Sequence, residues 1–273
     1  MSFNAKYKKQ EKIKMDSLEQ CIAKSMDCRN IEIIPYLPYI LQDFWEIGSS
    51  SETIKEIVEH QFLKYEYQML QTVDLGCGKG AVSIKLTSDL KCHCLGIDAN
   101  KEFIHEARIK AKELHIDSLC LFEVNDIRKR IKELAMFDVI ILGSIGPVFG
   151  NYYKTLLSLS PILRDGGRII IADGYIKDSN SFVSPYMLTR KTLIKQIQDA
   201  GMQLINEVID NDIIEQEKGY DKEFNYLEKR CRELIIKQPK KAKLFEEFIK
   251  KQNEEYNVLK NKVICATLII KRY

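Results

Sequence analysis

Thr72-Val73-Asp74-Leu75-Gly76-Cys77-Gly78-Lys79-Gly80-Ala81 is the stretch on which the fold turns. A short apolar run ends at Gly76, glycine recurs at every second position to Gly80, and Ala81, Ile84 and Leu86 then resume helical spacing. The passage reads as a strand, a tight turn and a helix. Working outward, the same alternation continues. Leu95–Ile97 is a second predicted strand ending at Asp98, and Phe103–Leu114 a helix. Leu119–Val124 is a third strand ending at Asn125-Asp126, and Phe137–Leu142 a fourth, almost wholly apolar as a central parallel strand should be. Tyr152–Leu163 is helical, Asp165-Gly166-Gly167 a turn, and Arg168–Ala172 a fifth strand. Thr189–Ala200 is a helix stopped by Gly201, and Leu204–Val208 and Val263–Ile270 are the last strands. Strands alternating with helices at these lengths predict an α/β, doubly wound, mostly parallel sheet covered on both faces.

Two segments fall outside that alternation. Residues 1–50 form an N-terminal cap segment, helical in part and interrupted at Pro35 and Pro38. A helix over Ser51–Leu63, with Ser51 as its N-cap, then leads into the core. Asn211–Lys262 is charged and periodic, split by Pro239 into two helices, and too long for a simple connection, so it is expected to be a lid or an interface. The core is therefore residues 51–210 with 263–273, and the helical insertion is 211–262.

The chain has 273 residues, 45% hydrophobic and 30% charged, which excludes a disordered chain or a small disulfide scaffold. No apolar run approaches the ~20 residues that span a bilayer, so no membrane partner is expected. Lys and Arg number 42 against 39 Asp and Glu, a balance that argues against nucleic acid as the main partner. The local excess at Lys6, Lys8, Lys9, Lys12 and Lys14 is read as a solvated tail. Met1–Gln10 carries no apolar stretch behind it, so a secretory signal is not expected and the location is taken as cytoplasmic. The eight cysteines form no C-x-x-C pair, so reduced thiols and no metal are expected.

In an open α/β sheet, ligands lie at the carboxyl ends of the strands. Here the first three strands carry acids there: Asp74, Asp98 and Asp126. Gly76, Gly78 and Ala81 satisfy the spacing of a dinucleotide turn, which would suggest a nicotinamide oxidoreductase. Electrostatics oppose that reading. A carboxylate at Asp74 would repel the pyrophosphate that a helix N-terminus is meant to attract, but would welcome an ammonium group. A phosphate-free ligand with an amino-acid end, a ribose and an adenine fits better, and S-adenosyl-L-methionine is such a ligand.

At this point the motifs resemble a known family. Val73–Gly80 is similar to the first motif of class I S-adenosylmethionine-dependent methyltransferases, Gly96-Ile97-Asp98 to the second and Asn125-Asp126-Ile127 to the third. Phe137–Ile140 with Gly143-Ser144, and Leu163–Arg168, resemble the fourth strand and the turn into the fifth. The likeness spans roughly residues 70–210 plus the last strand, nearest to small-molecule enzymes of the ubiquinone-biosynthesis type. It implies a seven-stranded Rossmann-like sheet whose last strand is antiparallel, methyl transfer by in-line displacement to a small-molecule acceptor, and S-adenosyl-L-homocysteine as product. It also implies roles. Gly76, Gly78 and Gly80, with Cys77 among them, let the backbone approach the methionine and ribose; Asp98, beside Ala99, takes the ribose hydroxyls; Asp126 takes the adenine amine, with Asn125 and Ile127 beside the ring. Gly143 and Ser144 would lie by the reacting centre, and Lys79 would point to solvent.

The segment Asp43–Ser49, with Trp45 and Gly48, is expected to cover the cofactor, although Trp45 would serve equally as a packing anchor. None of His60, His93, His105 and His115 falls at the end of the fourth strand, so no catalytic base is assigned. Tyr36, Tyr39, Tyr152, Tyr153, Asp173 and Tyr175 are candidate acceptor residues because they border strand ends or lids. The alternatives are an RNA or protein methyltransferase, using Lys237, Lys240, Lys241 and Lys243, and the oxidoreductase above. The apolar stripe of the insertion suits a monomer with a lid or a homodimer.

Overall fold

The computed structural model describes residues 16–28, 30–62, 69–178, 182, 187–209 and 213–273. The basic N-terminal tail lies outside these residues. Seven strands form one sheet: β1 Gln71–Leu75, β2 His93–Asp98, β3 Cys120–Val124, β4 Phe137–Gly143, β5 Leu163–Tyr175, β6 Met202–Ile209 and β7 Ile264–Arg272. Their order is β3-β2-β1-β4-β5-β7-β6, and β7 runs antiparallel to both β5 and β6. Every other pairing is parallel. The order reverses between β1 and β4, the switch point where α/β sheets open a crevice at their carboxyl ends.

Ten α-helices among the described residues flank this sheet. They are α1 Leu18–Ser25, α2 Leu37–Ile40, α3 Ser51–Gln61, α4 Ala81–Leu90, α5 Lys101–Glu113, α6 Ile127–Arg130, α7 Tyr152–Leu159, α8 Arg190–Asp199, α9 Ile213–Lys237 and α10 Ala242–Lys262. On one face, Ile54, Ile57 and Val58 of α3 and Val82, Leu86 and Leu90 of α4 bury against Val139, Ile141 and Ile170. On the other, Leu156 and Leu159 of α7 and Leu193 and Ile197 of α8 cover Ile140, Leu142, Ile169 and Ile171. The period of two along each strand delivers alternate side chains to these two layers. A fully buried Ile or Leu in such a layer contributes about 1.5–3 kcal/mol.

The N-terminal elements and the α9–α10 insertion build a separate core together. Ala23, Ile33, Leu37, Ile40 and Leu41 pack with Leu227, Cys231, Leu234, Leu244, Phe245 and Phe248, and with Phe103 of α5. The apolar stripe of the insertion is thus covered largely by the chain's own N-terminus. Pro35 does not end the helical run; it lies within a 3-10 turn over Ile31–Tyr36, and Pro38 occupies the first turn of α2, where its missing N–H costs nothing. The α3 N-cap is Ser50, not Ser51: Ser50 Oγ accepts from Thr53 N at 3.2 Å, while Ser51 binds the Glu46 carboxylate. Several strands run longer than expected, notably β5, whose stretch before Arg168 begins beside Phe137 and bulges past β4. No helix among the described residues is long and apolar enough to cross a membrane.

Candidate functional site

The glycine turn after β1 is folded by one carbonyl. Gly76 N and Cys77 N both donate to Ile97 O, at 2.8 and 3.1 Å, and Gly80 N donates to Cys77 O at 2.8 Å. Gly76 and Gly78 adopt φ of +80° and +54°, a region that side chains avoid. A Cβ at Gly76 would stand 2.4 Å from Ile145 Cγ2 across the crevice. Gly80 serves differently. It opens α4 at φ +82°, and a Cβ there would meet the Phe122 ring at 2.6 Å, beneath the crevice. Gly80 does not line the cavity; it packs against Phe122.

Each strand-end acid is oriented by its own donors. Asp74, 2% exposed, accepts from Ser83 Oγ at 2.7 Å; its burial raises the carboxyl to about 6, against the lowering effect of Ser83. Asp98 takes Gly78 N at 2.9 Å on one oxygen and Asn100 N at 2.7 Å on the other. Burial raises its pKa too, opposed by these backbone donors. Asp126 caps α6 and is gripped by Arg128: Nε reaches Oδ1 at 2.9 Å, Nη2 reaches Oδ2 at 2.8 Å, and the Arg128 N–H reaches Oδ1 at 3.0 Å. That guanidinium holds the Asp126 carboxyl below its ordinary value.

These acids face one cavity, an empty volume of about 1060 Å³ that is partly open to solvent. Trp45, Asp74, Gly76, Cys77, Gly78, Asp98, Ala99, Asn125, Asp126, Ile127, Gly143 and Ser144 all line it. Gly48 supports the rim instead, its carbonyl accepting the Ser144 hydroxyl. Trp45 is 39% exposed and borders the opening. A Cβ at Gly143 would come within 2.5 Å of Ser49 Oγ, so the segment before α3 lies directly on the end of β4.

The sequence marks residues 1–50 as a cap but singles out no residue of its first helix for the site. Leu18, Cys21, Ile22, Ser25 and Met26 of α1 and its end line the cavity, as do Arg128, Ile145 and Val148. Arg128 carried a signal, since an Arg two residues after a helix-capping acid is within reach of it. The contacts from α1 had none, because they join residues more than a hundred positions apart.

Lys79 is a correction. Its side chain is 2% exposed and lines the cavity instead of reaching solvent. Nζ donates to Leu41 O at 3.0 Å, pairs with Glu106 at 3.0 Å and lies 5.8 Å from the Phe103 ring centroid. A lysine is buried only where its charge is matched, and a carbonyl, a carboxylate and a ring face do that here. The tyrosine candidates also fall elsewhere. Tyr36 and Tyr39 donate to Gln238 Oε1 and Glu233 Oε2, at 2.8 and 2.6 Å, and fasten the N-terminal elements to α9 and the turn after it. Tyr152 donates to Asp173 Oδ2 at 2.7 Å, Tyr175 is buried in the core and Tyr153 is on the surface. None of these six candidates lines the cavity. Among the described residues, no group of three or more His, Cys, Asp or Glu side chains is placed to hold a metal ion.

A family model described as a methyltransferase domain matches residues 68–270. The chain belongs to that family. The match removes the oxidoreductase alternative and agrees with the sheet order above. The methyltransferase is similar in fold to an S-adenosylmethionine-dependent methyltransferase from Geobacter sulfurreducens solved with S-adenosyl-L-homocysteine, at TM-score 0.71 and 16% identity over 88% of this chain and 98% of that one. A second, from Thiobacillus denitrificans and also solved with S-adenosyl-L-homocysteine, gives 0.68 and 15% over 86% and 97%. YjhP from E. coli gives 0.69 and 17% over 86% and 100%. At such identities the likeness is one of fold. No curated protein matches the methyltransferase.

Proposed function

We propose that this methyltransferase uses S-adenosyl-L-methionine to methylate a small molecule held between the strand ends and the N-terminal helices, releasing S-adenosyl-L-homocysteine. The observation that carries the reading is the convergence of Asp74, Asp98 and Asp126 with a glycine turn on one cavity. The residues fit such a donor. Asp74 is a buried carboxylate with a single hydroxyl partner and retains acceptor capacity for an ammonium group. Asp98 has its two oxygens aligned by backbone donors, leaving lone pairs for a pair of ribose hydroxyls. Asp126 would take the adenine amine, with Asn125 and Ile127 flanking the ring. The turn at Gly76 and Gly78 exposes backbone where a Cβ would intrude.

When bound, the donor supplies an electrophilic methyl group on a sulfonium whose leaving group is a neutral thioether, so no protein acid is needed. The protein's contribution is alignment in a dry site, which supplies ~7–11 kcal/mol in well-oriented systems. Gly143 and Ser144 at the end of β4, with Ile145, Val148, Ile22 and Met26 in the same cavity, would form the acceptor end. The side chains of Ile22, Met26, Ile145 and Val148 are apolar and suit an uncharged acceptor.

The N-terminal cap lines this chamber and shares a core with the insertion, none of whose described residues lines it; we assign the cap as the cover and the insertion as its support. Of the four lysines considered for a nucleic-acid face, three are engaged within the chain, which favours a small acceptor over a polymer. Lys237 Nζ donates to Tyr39 OH at 2.8 Å, Lys241 lies over the Tyr36 ring at 5.1 Å, and Lys243 pairs with Glu247 at 3.8 Å. Isothermal titration with S-adenosyl-L-homocysteine tests the proposal: saturable one-to-one binding is expected, and no heat at millimolar ligand refutes it.

A further inference from the structure

Arg128 lies on the cavity wall with a side chain 11% exposed, and its guanidinium faces two ways. Towards the core it forms the fork with Asp126. Towards the N-terminus its Nη1 donates to Asp16 O at 2.9 Å and contacts Cys21 Sγ at 2.8 Å. It therefore spans from the acid at the end of β3 to the backbone just before α1 and to a side chain on that helix.

The occupancy of Asp126 gives this bridge a consequence. An ionised carboxylate offers about four lone-pair sites. Oδ1 accepts from both Arg128 N and Arg128 Nε, and Oδ2 accepts from Nη2. Three of the four are filled by one residue, and the vacancy that remains belongs to Oδ2. A carboxylate so restrained can receive one further donor from one direction. A guanidinium suits this because its planar fork fixes both oxygens at once, which an ammonium group cannot do.

We infer that Arg128 is a positioning residue that makes Asp126 selective for a base carrying an exocyclic amine, and that the same guanidinium holds α1 closed over that base. The inference rests on the proposed donor site, deepening it from a place for adenine to a coupling between base recognition and the N-terminal wall. If the bridge operates, disturbing it loosens both ends together.

The test compares wild type, Arg128→Lys and Arg128→Gln by calorimetric binding of S-adenosyl-L-homocysteine and of its analogue carrying hypoxanthine, whose carbonyl replaces the amine. Hydrogen exchange of the α1 amides is followed with and without ligand. Wild type is expected to favour the adenine ligand by about tenfold or more, as loss of a charge-assisted hydrogen bond implies. Arg128→Lys keeps the charge and so guards against misfolding; it should lose most of that preference, chiefly through weaker adenine binding, and exchange α1 amides faster. Arg128→Gln should do the same more strongly. Should both variants keep the wild-type preference and α1 protection, the inference is overturned while the donor site stands. Wild type that binds neither ligand overturns the donor site, and this inference with it.

Discussion

At the proposed donor site, the burial of Asp74 predicts that donor binding depends on pH. Its carboxyl titrates at about 6 in the empty protein because burial disfavours the charge and Ser83 only partly offsets that. An ammonium group placed beside it needs the carboxylate. Binding therefore requires loss of a proton below pH 6, and the apparent dissociation constant should rise by the factor 1 + 10^(6−pH), with the exponent taken from that value. At pH 5 this is about elevenfold over the plateau above neutrality, or about 1.4 kcal/mol. The ligand's own amino and carboxyl groups keep their charges between pH 5 and about 7, so the slope there belongs to the protein. Titration calorimetry with S-adenosyl-L-homocysteine from pH 5 to 8 reads it directly. Asp98 is raised by burial as well, so Asp74→Asn is the deciding control: its profile should flatten, and its affinity near neutrality should fall about tenfold or more. Wild-type affinity that changes less than about twofold over this interval, or an unchanged slope in Asp74→Asn, refutes the reasoning.

The same group has a signature in the empty protein. An acid with a native pKa above its unfolded value stabilises the fold while protonated. Its contribution is fully present below the ordinary value of 3.8 and is lost as pH rises through about 6. The loss amounts to about 3 kcal/mol, and Asp74→Asn should abolish this part of the pH dependence in denaturant unfolding.

Lys79→Met removes one of the two bonds to the Leu41 carbonyl, which keeps its donor Phe44 N, together with the ion pair to Glu106, so a stability loss of about 1 kcal/mol is expected by denaturant unfolding; an unchanged midpoint contradicts the clamp. Gly76→Ala places a Cβ 2.4 Å from Ile145 at a φ of +80°, and calorimetry should show donor binding lost in protein that is still folded. Gly80→Ala strains the Phe122 ring beneath the turn instead, so a lowered melting temperature with near-normal affinity in the folded fraction is expected. Identical behaviour of the two glycine variants counts against their separation into lining and packing roles.

The legible parts of this protein are those in which the chain interacts with itself locally. Asp74, Asp98 and Asp126 could be found because each ends a strand in a parallel sheet, and topology alone brings such ends to one edge. The order of elements was legible for the same reason, as periods of two and of 3.6 depend on neighbouring residues. What escaped were the partners supplied from far along the chain. Lys79 looked like a solvent-facing residue of a glycine turn, because nothing near it announces Leu41 O or the ring of Phe103. Cys21 is one of eight cysteines that form no C-x-x-C pair, and nothing near it in the sequence announces its contact with Arg128. The tyrosines misled in the opposite sense: Tyr36 and Tyr39 border the right region but spend their hydroxyls on Gln238 and Glu233. These errors share a cause. The strand-end side of the cavity is built by the sheet and repeats a pattern, whereas its N-terminal wall is held by long-range pairs. Arg128 and Lys79 are where the two halves meet, each a buried cation on the sheet side reaching a backbone carbonyl on the cover side. Carbonyls of any sequence can accept such a bond, so the choice of partner leaves no trace in residue type. The cations themselves do leave one, and a lysine or arginine immediately beside a ligand-binding turn is better read as a candidate clamp than as surface charge.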